Sequence, residues 1–430
     1  MTWIDDHDDP MPSEGRSRIG LILGVWLTGV FVGSLFGTAE GRKNHMYEAI
    51  MLISLLWPAI YFAFSRNRFV PVGFGSETIL GLTLFGLFCG LSSFVSRAPL
   101  ESTQYTVLTI LTIVVVLQFN SNLDAEQYEI GLKCYAVLAA ALVGAFALYD
   151  YVPGRRLGGG KEILNPASFA LITMSVFVAS MAIRRAFVRI TIMIGMGTVI
   201  YLTGARASAV AALIGLGLTL VLRRRIAGSD GYAVLLLCIV LGGSVAAYYG
   251  DTVLRGASDF FAIQDRHRGL ESGGSGRLET WKATWNLFLT HPMLGVGFRA
   301  HEALLKMNTS AHNGYLALLA EIGVIGFAAI AFLTLSGLRN LWRRNHDPSQ
   351  TFSHSVLLGL ACGYFVLAIF ERYFINAGNP TSLLFLLSIL APAYVYDDFH
   401  SEDMVGEDED LLADAYASDL VDGAVSDART

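Results

Sequence analysis

The run IGLILGVWLTGVFVGSLFG, residues 19–37, carries no charge and, wound as a helix, crosses about 30 Å of hydrocarbon. Equally apolar runs return at Tyr105 to Phe119, Ala167 to Ile183 and Ala233 to Tyr249. Of the 430 residues, 53% are apolar and 15% charged, which leaves too little charge to cover a water-facing surface and makes bilayer the natural solvent. The first run follows Arg16 and Arg18, exceeds the length of a secretory signal and precedes no small-residue cleavage site, so it reads as a retained signal anchor.

Carried along the chain, this reading predicts an all-α polytopic membrane protein. About twelve transmembrane helices fall near 18–37, 46–65, 77–95, 103–119, 132–150, 166–183, 187–204, 206–222, 232–249, 311–338, 353–371 and 380–396. The chain then divides into an N-terminus (1–17), nine spans (18–249), one long outer loop containing short helices (250–310), three spans (311–396) and a tail (397–430). Only Thr203-Gly204-Ala205-Arg206 separates the seventh span from the eighth. Lys and Arg are retained on the cytoplasmic side of short loops. With both termini cytoplasmic, that side holds Arg66, Arg68, Arg184, Arg185, Arg189, Arg223, Arg224, Arg225, Arg339, Arg343 and Arg344.

The formal charge of −6 belongs to the tail, where carboxylates crowd from Asp397 onward and favour solvation over packing. Nucleic acid is not an expected partner. Cys89, Cys134, Cys238 and Cys362 fall inside predicted spans with neither zinc nor disulfide spacing, and read as packing residues.

Basic residues also gather on the outer face, against the orienting rule: Arg155, Arg156 and Lys161 in one loop, Arg206 at a helix end, and Arg255, Arg266, Arg268, Arg277, Lys282, Arg299 and Lys306 in the long loop. Such a concentration points to an anionic ligand, although long loops translocate regardless of charge and ordinary surface explains their members equally well. Arg206 is different, because a guanidinium at the membrane boundary requires a carboxylate, a phosphate or a water-filled cavity around it.

In the long loop a helix is expected from Arg277, with Leu278, Trp281, Trp285 and Phe288 as an apolar stripe that lies on the membrane surface or caps the bundle; His291-Pro292 ends it. Ser310 is the expected N-cap of the tenth span, which places His312 and Asn313 in its first turn, where the positive helix end favours a neutral imidazole. His312 then serves as a general base or an anion donor, or satisfies local backbone groups. Glu321, about 13 Å further along that helix, reads as a buried carboxylate that is either ion-paired with an arginine of another span, the favoured reading, or protonated and structural. Glu371 and Arg372, at the outer end of the eleventh span, either pair with each other or complete the site.

Four motifs in order resemble the O-antigen ligase and polysaccharide polymerase superfamily of bacterial membrane glycosyltransferases: Arg156 with Ile163-Leu164-Asn165-Pro166, then Leu202-Thr203-Gly204-Ala205-Arg206-Ala207-Ser208, then Ser275-Gly276-Arg277-Leu278-Glu279-Thr280-Trp281 running to His291-Pro292-Met293-Leu294-Gly295-Val296-Gly297, then Ala311-His312-Asn313-Gly314-Tyr315 with Glu321-Ile322-Gly323-Val324-Ile325-Gly326. The chain departs from the pattern at Ala167, where many relatives place a second Asn. The resemblance implies a GT-C-like fold in the bacterial inner membrane. It also implies transfer of a glycan from undecaprenyl pyrophosphate to a sugar hydroxyl on the periplasmic side, without metal, cofactor or nucleotide sugar. By the same likeness Arg277 and His312 are the expected catalytic pair, and Arg206, Arg156, Arg155, Asn165, Asn313 and Arg299 the expected substrate-binding residues. Implied partners are the lipid-linked donor, a glycan or lipid A core acceptor, membrane lipids, and polysaccharide chain-length and export proteins. The polymerase reading is favoured over a ligase to lipid A core.

Two other classes compete. A transporter or lipid-linked flippase has a similar span count, but Ser65-Arg66-Asn67-Arg68 lacks the Asp-bearing basic signature of major facilitator proteins and the halves show no repeat. A non-catalytic assembly partner is the third.

Overall fold

The computed structural model describes residues 13–35, 46–64, 74–158, 166–227, 277–305, 311–344, 351–371, 374–376 and 379–392. Within them the chain forms α1 (Ser13–Leu35), α2 (Met46–Phe64), α3 (Ser76–Phe94), α4 (Pro99–Asn122), α5 (Ala125–Asp150), α6 (Pro166–Ala179, extended by a 3-10 turn at Ser180–Ala182), α7 (Ala186–Thr203) and α8 (Arg206–Ala227). After the outer segment come α9 (Arg277–Thr290), α10 (His301–Leu304), α11 (Gly314–Arg344), α12 (Thr351–Ala368) and α13 (Pro380–Ile389), with no strand among the described residues. Seven helices are long and apolar enough to cross a membrane: α1, α3, α4, α5, α7, α8 and α11. The helices α2, α6, α12 and α13 are apolar but shorter.

Eleven of the twelve predicted spans coincide with one of these helices, and the ninth, 232–249, lies outside the described residues along with 250–276 and 393–430. The last stops early. Instead of running to 396, α13 has 10 residues, about 15 Å by helical rise, and every one of them is buried. It is held as a core element: Asn120 of α4 donates its side-chain amide to the carbonyls of Leu387 (3.1 Å) and Leu390 (2.7 Å).

Lipid tails are as apolar as leucine, so helices in a bilayer associate through close packing and local polar contacts rather than through water exclusion. The pair α8 and α12 shows this. Gly359 and Gly363, four residues apart on α12, face Ala211, Gly215 and Thr219 of α8, and a Cβ on Gly359 would stand 2.5 Å from the Gly215 carbonyl oxygen. Thr219 adds a hydrogen bond from its hydroxyl to the Ser355 carbonyl at 3.3 Å. The helices run antiparallel in a single register, with 211 beside 363, 215 beside 359 and 219 beside 355. Gly20 and Gly24 give α1 the same close approach to α5.

The inner basic residues come together at one end of the bundle. Arg184 makes a two-pronged pair with Glu129 (2.7 and 2.9 Å), while the Arg223 guanidinium stacks 3.5 Å over the Phe352 ring and donates to the Met181 carbonyl. At the α11 terminus of that end, Arg339 faces Glu77 at 3.4 Å.

Helix α11 is not the single rod that its sequence suggests. It has 31 residues, about 46 Å by helical rise, and Gly323 breaks it with φ 65° and ψ −175°. The segment Pro292 to Gly297 fills the break. Val296 and Gly297 donate to the carbonyls of Ala320 (2.9 Å) and Glu321 (3.0 Å), and Val324 donates to that of Pro292 (2.8 Å). Backbone groups released by the break are thus satisfied inside the protein, as a broken helix in an apolar medium requires.

Candidate functional site

The break gives the outer part of α11, Gly314 to Ile322, two neighbours. Its inner end lies against α3, where Ser92 donates to the Glu321 carbonyl. Its outer end lies against the end of α12: Gly314 packs on Ala368, Glu371 and Phe374, and the Tyr315 hydroxyl donates to the Phe365 carbonyl at 2.8 Å. Helix α9 packs on α11 with Thr280 and Thr284 buried, while Leu278 and Trp285 of the expected apolar stripe face outward, as does Leu289.

These supports bring Arg277, His312 and Glu371 together. Glu371 is the hub, 7% exposed, with Oε1 3.5 Å from Arg277 Nη2 and Oε2 3.9 Å from His312 Nδ1. Glu371 thus contacts two residues expected in the site, while Arg372, its alternative partner, lies outside the described residues. His312 is left-handed at φ 45°, one of two non-glycine residues with positive φ among the described residues, the other being Arg299 at φ 62°. Strained backbone of this kind concentrates at functional positions.

Asn313 fills the role expected of Ser310. Its side-chain oxygen accepts from the amides of Tyr315 and Leu316, both at 3.0 Å, which makes Asn313 the N-cap of α11. His312 therefore stands one residue before the cap rather than in the first turn, and Ser310 lies outside the described residues.

Arg206 heads α8. Continuing the α8 and α12 register places it level with Ala368, the last residue of α12. Arg156 reaches the same helix junction from the preceding loop: its guanidinium donates to the carbonyls of Thr203 (2.8 Å) and Gly204 (3.0 Å), the negative end of α7. That junction turns through Gly204 at φ 61°, where a Cβ would press on the Arg156 guanidinium. Arg155 is exposed in the turn after α5, and Asn165 lies outside the described residues. Arg299 goes elsewhere, its guanidinium 4.9 Å over the Tyr105 ring of α4.

Among the described residues Glu321 pairs with no arginine. Its partner is His301, a residue the sequence reading passed over because a lone histidine between Ala300 and Glu302 carries no periodic signal.

A cavity between α3 and α4, lined by residues that include Leu82, Phe85, Cys89 and Ile113, is apolar and is walled by none of Arg206, Arg277, His312 or Glu371. Among the described residues no three His, Cys, Asp or Glu side chains gather as a metal site.

What the arrangement offers is guanidinium groups, an imidazole and a carboxylate at one end of a membrane-spanning bundle, suited to an anionic ligand that loses a charged leaving group. No curated protein matches the chain. Residues 191–331, from α7 into α11, match the family model described as O-antigen ligase, which supports a likeness of this segment to the O-antigen ligase and polysaccharide polymerase superfamily.

Proposed function

We propose that the protein is a membrane glycosyltransferase of cell-surface polysaccharide synthesis. It transfers a glycan from undecaprenyl pyrophosphate to a sugar hydroxyl at the outer, periplasmic face of the inner membrane, and acts as a polymerase of repeat units. The observation that supports this best is the convergence of Arg277 and His312 on Glu371.

In this reaction the acceptor hydroxyl attacks the anomeric carbon, the bond to pyrophosphate breaks, and the lipid pyrophosphate leaves with the electron pair. Arg206 and Arg277 stabilise the charge that grows on its oxygens, since fixed guanidinium forks in a poorly hydrated site need no reorganisation. The hydroxyl proton passes to His312 as general base. Glu371 faces Nδ1 of that ring, where its carboxylate orients the imidazole. The resting Arg277 and Glu371 contact is long enough, at 3.5 Å, to yield when a dianionic pyrophosphate competes for the guanidinium.

Deletion of the gene, complemented by wild type or by Arg277→Ala, tests the reading. Wild type restores long surface or secreted glycan, whereas Arg277→Ala, present at the same level in the membrane, leaves single repeats. Free full-length polymer that never reaches lipid A reassigns the protein as the ligase, and an unchanged glycan profile on deletion rejects both.

A further inference from the structure

The break in α11 holds a buried pair that the proposed chemistry does not use. His301 Nδ1 and Glu321 Oε1 stand 2.5 Å apart, with side chains 1% and 3% exposed. His301 Nε2 is buried without a hydrogen-bond partner among the described residues.

The pair is an anchor by position. It ties α10 to the turn of α11 next to Gly323, the same turn whose carbonyls accept from Val296, Gly297 and Ser92. From there α11 runs outward as one short rigid piece to Asn313, its cap, and His312. Glu321 lies eight positions from the Asn313 cap, about 12 Å by helical rise, and His312 directly precedes that cap, so an error in seating one end appears at the other. Displacement of a catalytic group by about 1 Å costs on the order of a hundredfold in rate.

We propose that His301 is a positioning residue for the transfer site, acting through Glu321 to seat the outer piece of α11 and with it His312. The proposal rests on the reading of the preceding subsection, and its test separates the two.

The full chain is placed in lipid nanodiscs with an undecaprenyl pyrophosphate-linked oligosaccharide as donor. His301→Leu lowers kcat by about tenfold or more while the donor KM moves by less than about threefold. His301→Asn, whose amide nitrogen stands near the place of Nδ1, recovers kcat to within about threefold of wild type. Hydrogen exchange on the same particles gives an arm independent of activity: the Val296 and Gly297 amides exchange about tenfold faster or more in His301→Leu and near the wild-type rate in His301→Asn. A His301→Leu protein with wild-type kcat overturns the proposal, as does a loss that His301→Asn fails to restore in well-folded protein. If wild type itself transfers nothing, the glycosyltransferase reading falls. Unchanged Val296 and Gly297 protection in His301→Leu then removes the anchor as well, and accelerated exchange retains it.

Discussion

Gly323→Ala is the sharpest single perturbation of this fold. At φ 65° and ψ −175° the residue occupies a region open essentially to glycine, and an added Cβ would overlap the Met293 carbonyl. No rotamer relieves that clash, because the obstacle is backbone. Forcing alanine into the region costs about 1–3 kcal/mol. The variant escapes by straightening α11, which alanine favours over glycine by about 1 kcal/mol. Straightening sacrifices the hydrogen bonds from Val296 and Gly297 to Ala320 and Glu321 and from Val324 to Pro292, at about 0.5–1.5 kcal/mol each. Either route removes roughly 1–4 kcal/mol from the docked loop, which lowers its population relative to the undocked form by about fivefold or more. Hydrogen exchange in nanodiscs reads this directly as accelerated exchange at Val296 and Gly297. Wild-type protection at those amides in Gly323→Ala would refute the broken-helix account. Gly295→Ala, whose Cβ would overlap the Glu321 carbonyl, is expected to behave alike.

Gly359→Leu drives a side chain into the Gly215 carbonyl and is expected to cost about 3 kcal/mol or more, seen as loss of the monodisperse peak in size-exclusion chromatography; a well-folded variant would argue against the α8 and α12 contact. Asn313→Ala removes the cap of α11 and lowers stability by about 1 kcal/mol in a thermal melt, whereas Asn313→Asp stays close to wild type. Arg184→Ala should matter little, by less than about 1 kcal/mol, because its side chain is 73% exposed even though the pair with Glu129 is two-pronged.

The spans were readable because length and the absence of charge are sufficient signals for a helix in lipid, and the edges of α2, α3 and α7 fall within a residue of expectation. The interruption of α11 was not readable in the same way. Glu321-Ile322-Gly323-Val324-Ile325-Gly326 is continuous apolar helix by composition, and what breaks it is a loop distant in space from the start of that helix. The partner of Glu321 was misassigned for a related reason: arginine is the default mate for a buried carboxylate, while His301 is brought in by the loop that fills the break. Arg277, His312 and Arg206 could be singled out from motif order, but not Glu371 as the shared partner of Arg277 and His312, because that depends on Gly314 letting α11 settle onto the end of α12. The packing signal Gly359-Leu-Ala-Cys-Gly363 stood in the sequence as well, and only the register with α8 gives it meaning.

The most direct test of the transfer site is a purified reaction: full-length protein in nanodiscs, undecaprenyl pyrophosphate-linked repeat unit as both donor and acceptor, and product length read by mass spectrometry. Arg277→Ala and His312→Ala are each expected to lower kcat/KM by about 10²–10³-fold with folded yield unchanged. Wild-type elongation in both variants would contradict the assignment of these residues to the site.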